Sequence, residues 1–345
     1  MAFSSLRGRS RGRAANLIDL AMLEALYASS TALAAIDLGS NSFRLEVGRV
    51  LPEGGYERLH LRKEMVSLGT ALCERSLLSQ EAIGRGLRCI EQFAADLALL
   101  RPRRVRAVAT QTLREARNRD EFLERAEALL GLPIELISGD EEGRLIFAGV
   151  SFLHPSPRPR LVIDIGGRSS ELAIGRGRDL HAVRSLPVGS ASLSQRFFAD
   201  GAMCAAGFRA AQQAVAEAMA GAPLAAFAAP RFDEAMGSSG TAGTIAAVLE
   251  RNGITDGALT RDGLRWLIEH CVARGHVAAL ELPGLKERRR SVLPGGLAIL
   301  YTLMVHCGIE RLESAKAALR QGVIVDLHER SPAQEPESAA CGAEA

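Results

Sequence analysis

Ile36-Asp37-Leu38-Gly39-Ser40-Asn41-Ser42-Phe43-Arg44-Leu45 returns 127 positions further on as Ile163-Asp164-Ile165-Gly166-Gly167-Arg168-Ser169-Ser170-Glu171-Leu172, and Gly48-Arg49 then matches Gly175-Arg176. Each copy reads as an apolar strand ending in aspartate, a turn of small residues that includes serine, and a second strand leading away: a duplicated β-hairpin. A turn of Gly and Ser lets several backbone N–H groups converge on one point, because no bulky side chain blocks the approach, and such nests bind phosphate. An aspartate fixed at the strand end is placed to hold Mg²⁺ directly or through its waters, and the metal neutralises phosphate charge. One such turn also closes ordinary hairpins. Two in register predict a pair of phosphate loops, one on each of two domains, facing each other across a cleft.

Outward from the repeat, strand-like and helix-like patterns alternate, which predicts an α/β protein. Apolar runs predict strands at Ala34–Leu38, Arg44–Val50, Val105–Ala109, Ile134–Ile137, Leu161–Ile165 and Glu171–Ile174. Ile83, Leu87, Ile90, Phe93, Leu97 and Leu100 keep helical spacing after Ser79, a good N-cap, and a second helix fits Glu121–Leu130 before Gly131 and Pro133. The Pro-rich piece His154–Pro159 marks a domain boundary. The expected layout is a flexible Arg-rich extension over 1–33, one domain over 34–153, a second over 154–327 and a frayed tail over 328–345.

Composition narrows the function classes. The chain has 345 residues, 47% hydrophobic and 24% charged, with a net charge of +2, the profile of a soluble protein with two ordinary cores. No apolar run approaches the roughly 18 residues of a membrane span. Near-neutral charge and 4% aromatics disfavour nucleic acid as a partner. Lys63, Lys286 and Lys316 are the only lysines, so nearly all of the 42 basic side chains are arginine, which we read as codon bias. The six cysteines show no CxxC pairing and read as reduced core residues of a cytoplasmic protein. The seven histidines form no HxxxH or HD pair, and no GxxxxGK[ST] loop is present. Glu142 follows the strand Ile134–Ile137, in the first turn of a helix that Asp140 is placed to cap. It either faces a cleft beyond the strand ends or merely complements the helix dipole together with Glu141.

The paired loops resemble those of the actin, sugar-kinase and 70-kDa heat-shock superfamily. Further segments are similar to one branch, the exopolyphosphatase and guanosine pentaphosphate phosphohydrolase family: Ala35 to Phe43, Ala109 to Ala116, Ile137 to Arg144, Val162 to Glu171, Gly237 to Thr241, Leu282 to Leu285, Pro294 to Leu297 and Ala318 to Gly322. The resemblance spans residues 34 to 327 in order and implies two actin-like, ribonuclease H-like domains around a cleft. It implies a Mg²⁺-dependent phosphoanhydride hydrolase acting on inorganic polyphosphate or on guanosine pentaphosphate, with a homodimer plausible. Glu142 matches the general base and Arg114 a phosphate-contacting arginine. Gly39, Ser40, Asn41, Ser42, Gly166, Gly167, Arg168, Ser169, Gly240 and Thr241 match phosphate-binding positions, and Asp37, Asp164 and Glu171 match metal or metal-water ligands.

The match has departures. Relatives carry a third glycine and then Ser-Thr where this chain has Arg168-Ser169-Ser170, and we expect Arg168 to add a contact to a long polyanion. Ala315 and Lys316 replace a common Ser-Asp, so a basic contact is expected there. Longer relatives append a helical region that includes an HD-like domain, so the chain resembles the short two-domain form. The leading expectation is an exopolyphosphatase, with guanosine pentaphosphate hydrolysis as alternative. A non-catalytic polyphosphate or alarmone sensor and an ATP-dependent kinase, the latter prompted by Gly237 to Thr241, follow.

Overall fold

The computed structural model describes residues 31–330 apart from 73–74, 222–223 and 230. The expected N-terminal extension up to residue 30, and the tail from 331, lie outside the described residues. The first sheet contains β1 (Leu33–Leu38), β2 (Ser42–Val50), β3 (Tyr56–Met65), β4 (Arg104–Ala109) and β5 (Ile134–Leu136) in the order β3-β2-β1-β4-β5. The second contains β6 (Pro159–Ile165), β7 (Ser170–Arg176), β8 (Asp179–Leu186), β9 (Glu234–Ser238), β10 (Leu259–Thr260) and β11 (Arg311–Ser314) in the order β10-β11-β9-β6-β7-β8.

The sequence repeat is a structural one. β1 runs antiparallel to β2 with Asp37 opposite Arg44, and β6 runs antiparallel to β7 with Asp164 opposite Glu171. β2 and β7 each pair with a third strand, with a register shift after Val47 in one and after Ile174 in the other, again 127 positions apart. β4 and β9 then add in parallel to β1 and β6. The first sheet's last strand ends at Leu136 and the second sheet's first begins at Pro159.

Period-two alternation decides what faces where. In β1, Ala34, Ile36 and Leu38 enter a core with α1 (Gln80–Leu100) and α3 (Arg119–Leu130); α2 (Gln111–Glu115) lies between β4 and α3 in the chain. Ser79 accepts from Ala82 N at 3.2 Å and starts α1, which buries Ile83, Leu87, Ile90 and Phe93. Each such side chain contributes about 1.5–3 kcal/mol. In β6, Leu161, Ile163 and Ile165 enter a second core with α5 (Ser190–Phe197), α6 (Ala205–Ala220), α7 (Ser239–Arg251), α8 (Arg261–Arg274) and α9 (Leu293–His306).

The opposite strand faces, with Leu33, Ala35 and Val162, meet a third core formed by α4 (Gly139–Leu153) and α10 (Leu319–Glu329) between the two sheets. Asp37 and Asp164 continue these inner faces. α4 and α10 cross at close range: a Cβ on Gly149 would lie 2.6 Å from Gly322 N, and one on Gly322 would run into Leu145 O. Only glycine at both positions lets these backbones meet. Because α10 also packs on β1, the expected second domain lends its last helix to the first, and helix continues to Glu329, past the expected edge at 328. Cys89, Cys271 and Cys307 are buried as expected, whereas Cys204 is exposed and accepts from Gly207 N at the start of α6.

Candidate active site

The two Gly-Ser turns meet. A Cβ on Gly167 would lie 3.0 Å from Ser40 Cβ, so glycine permits the approach of the second loop to the first. Neighbouring segments tie back the loop carbonyls: Ser40 O accepts from Gly69 N at 2.7 Å, Asn41 O from Ser67 N at 2.9 Å, and Gly166 O and Gly167 O each from the first N–H groups of α5 at 2.9–3.0 Å. In a trans peptide the next N–H points opposite to the carbonyl. The N–H groups of Asn41 and Gly167 are therefore turned away from these tethers. A cavity of about 100 Å³ lies between the halves, bounded by Asp37, Gly39 to Ser42, Glu142, Asp164, Gly166, Gly167, Ser169, Gly240 and Thr241. One water needs only about 10–15 Å³ on this measure.

Glu142 lines this cavity, 8% exposed, in the first turn of α4. The cap is Ser138 and not Asp140: its Oγ accepts from Glu141 N at 3.1 Å. Glu142 Oε2 accepts from Arg114 Nη1 at 3.2 Å. Burial pushes its carboxyl up to about 8; Asp164 and Asp37 add to the rise and Arg114 opposes it. Burial raises Asp164 to about 6, against the pull of Ser238 and Arg44. Glu171 is raised well above the usual carboxylate range by burial, then by Glu142 and Asp164. Its Oε1 accepts from Ser185 Oγ at 2.9 Å, while its buried Oε2 has no partner.

Among the described residues, no three His, Cys, Asp or Glu side chains already surround one point in metal-binding geometry. Asp37 Oδ2 is engaged by arginines, with Arg320 Nη1 at 3.4 Å and Arg44 Nη1 at 3.7 Å. The remaining donors, hard oxygens whose ionisation is mutually opposed and one of which is a buried orphan, fit Mg²⁺ held through one or two carboxylates and several waters.

Several expected contacts fall elsewhere. Arg114 does not line the cavity: besides Glu142 it donates to Ile137 O at 2.7 Å and to Gln111 Oε1 at 2.6 and 3.1 Å. Arg168 turns out of the loop to Glu115 and to Gly69 O. Thr241 already donates its hydroxyl to Ile165 O at 3.0 Å, and its N–H meets Ser239 Oγ at 3.2 Å, so it supports the second loop. The Arg289 guanidinium lies against Gly240. Ala315 sits in the inter-sheet core, and Lys316 N meets His154, away from the cavity.

The cavity also gathers residues that the sequence reading passed over: Arg44, Thr110, Ser190 and Arg289. Arg44 had a signal, since it occupies the repeat position that Glu171 holds in the second copy. Burial, then the neighbouring arginines, lowers both Arg44 and Arg289 from the usual arginine value. The same two forces bring Lys63, opposite Arg44 on β3, down to about 7. Arg44 and Arg289 thus put crowded positive charge on this side of the cavity, with Lys63 behind them.

Two sheets that share a five-strand order, with β10 added at the edge of the second, together with paired glycine-serine loops and a shared cleft, define an actin-like two-domain protein. Residues 51–331 match the model of the Ppx/GppA phosphatase family, and the chain belongs to that family. It is similar to the Aquifex aeolicus PPX-GPPA enzyme, with 26% identity over 86% of this chain and 99% of that one and a TM-score of 0.71. It is also similar to an exopolyphosphatase-like protein, with 25% identity over 86% and 97% of the two chains and a TM-score of 0.75. An exopolyphosphatase from Cytophaga hutchinsonii shares the fold at 22% identity, over 86% and 97% of the two chains, with a TM-score of 0.76. The chain is therefore an exopolyphosphatase-like phosphatase of this family. No helix among the described residues is long and apolar enough to cross a membrane.

Proposed function

We propose that this protein hydrolyses the terminal phosphoanhydride of inorganic polyphosphate, releasing orthophosphate, with Glu142 as general base. The observation that carries the reading is Glu142 itself: a buried carboxylate bounding the same cavity as both loops, aimed by Arg114. Phosphoryl transfer asks a protein chiefly to position groups and neutralise charge. The backbone N–H groups of the loops hold the terminal phosphate, while Arg44 and Arg289 offset its charge. Glu142 accepts a proton from a water; the water oxygen bonds to the terminal phosphorus as the bridging P–O bond breaks, and the electron pair leaves with the shortened chain. Glu142 must be ionised to act, and Arg114 favours that form.

Asp164 and Glu171 would hold Mg²⁺, which supplies further neutralisation of phosphate charge when bound. Asp37, its Oδ2 taken by two arginines, has its Oδ1 on the Gly39 side and acts through water. Closure of the two halves excludes bulk water from the cavity.

Guanosine pentaphosphate is the alternative substrate, since the same groups would attack its 5′-terminal phosphate. Phosphate release by purified protein with Mg²⁺ is measured on each compound. A higher kcat/KM on polyphosphate supports the reading, a higher value on guanosine pentaphosphate replaces it with the alternative, and binding without release leaves the sensor reading.

A further inference from the structure

Arg168 follows Gly167 in the second loop, but its side chain crosses to the other half of the molecule. Nε and Nη2 both meet Glu115 Oε2, at 2.8 and 2.6 Å, and Nη1 donates to Gly69 O at 3.1 Å. Glu115 ends α2, and its other oxygen accepts from Gln111 Nε2 at 2.5 Å. With its NH₂ given to Glu115, Gln111 turns Oε1 to Arg114 and accepts from Nε at 3.1 Å and Nη2 at 2.6 Å. The remaining Nη1 of Arg114 reaches Glu142 Oε2 at 3.2 Å. Five side chains thus form one unbroken series from the second phosphate loop to the buried carboxylate. Its polarity is unique: flipping the Gln111 amide would set donor against donor at Arg114 and acceptor against acceptor at Glu115.

We propose that Arg168 is a positioning residue: docking of the second loop on Glu115 fixes the Arg114 fork, and through it Glu142, so the base is aligned only when the halves are closed. Opening the cleft carries Arg168 away with the second sheet. Glu115 then loses its cation, Gln111 is free to rotate, and Arg114 loses the acceptor that holds two of its three nitrogens. Each of the three guanidinium nitrogens of Arg168 has a protein acceptor, and the side chain does not line the cavity. The inference rests on the reading of Glu142 as base.

The test is steady-state phosphate release from polyphosphate by Arg168→Ala, Glu115→Ala, their double variant and Arg168→Lys. Each alanine variant should lower kcat by about tenfold or more with KM changed by less than about threefold, and the double variant should be no slower than the slower single. Arg168→Lys, which keeps one donor for Glu115, should recover part of kcat. A raised KM at unchanged kcat would make Arg168 a substrate contact and overturn the proposal, as would effects of the two alanines that add. If circular dichroism shows an alanine variant unfolded, Arg168→Lys and Glu115→Gln carry the same comparison. Wild-type turnover in Glu142→Gln sinks the reading of the base and this inference with it. Lost turnover in Glu142→Gln together with additive Arg168 and Glu115 effects sinks the inference alone.

Discussion

Arg114 Nη1 donates to Glu142 Oε2 at 3.2 Å, and among the described residues this bond is the only ion pair of a carboxyl otherwise surrounded by burial and like charge. For the proposed role of Glu142 as base, one guanidinium, itself held by Gln111 and Ile137 O, opposes the burial and the like charge of Asp164, Asp37 and Glu171 that would keep the acid protonated.

Arg114→Lys removes the fork. A lysine ammonium cannot span Gln111, Ile137 O and Glu142 together, so kcat/KM should fall by about 10–100-fold. Because Arg114 lowers the Glu142 value, the ascending limb of the pH–rate profile should move to higher pH in the variant. A limb that stays in place would show that Arg114 acts on something other than Glu142.

Stability should oppose function at this site. A carboxyl whose folded value lies above its unfolded one favours the fold while protonated and loses that contribution as pH rises through the folded value. For Glu142 the window runs from its ordinary 4.5 to about 8. Glu142→Gln, which cannot ionise, should match the wild type near pH 4.5 and exceed it above pH 8 by on the order of 5 kcal/mol. Mg²⁺ should raise the wild-type melting temperature most at alkaline pH, where the acids are charged, and this increment should vanish in Asp164→Asn/Glu171→Gln. Thermal melts at pH 5 and pH 9, with and without Mg²⁺, check both statements.

The fold was legible wherever local pattern and tertiary position agreed. The 127-residue repeat located both hairpins, because an aspartate at a strand end and a small-residue turn are needed in each copy. β3 and β8 escaped, since Tyr56–Met65 and Asp179–Leu186 are half-buried strands whose charged residues blur the alternation. α9 escaped because it is apolar on nearly every face and so has no polar side to mark its period. At the site, Asp37, Glu142 and Asp164 were named from type and position and bound the cavity, whereas Glu171 does not line it and Arg44 and Arg289 were not named. In a chain this rich in arginine nothing marks Arg289 within Glu287-Arg288-Arg289-Arg290, and the reach of a long side chain such as Arg168 depends on a partner in the other half of the molecule. The cap of α4 was misread for a simpler reason: Ser138 and Asp140 are both good N-cap residues.

Gly322→Ala tests the shared layer between the sheets. The added methyl would run into Leu145 O where α10 crosses α4, and overpacking of this kind costs about 1–3 kcal/mol. Chemical denaturation should show that loss, and because α4 carries Glu142, kcat should fall as well. Unchanged stability would mean that the two helices are not pressed together at Gly149 and Gly322.

The most direct measurement is orthophosphate release from polyphosphate by Glu142→Gln, alongside binding of the same polyphosphate by calorimetry. Turnover should fall by about 10²–10⁴-fold while affinity stays within severalfold of the wild type, because the amide keeps the shape and loses only the proton acceptor. Release at the wild-type rate would contradict the assignment of Glu142 as the base on which the mechanism turns.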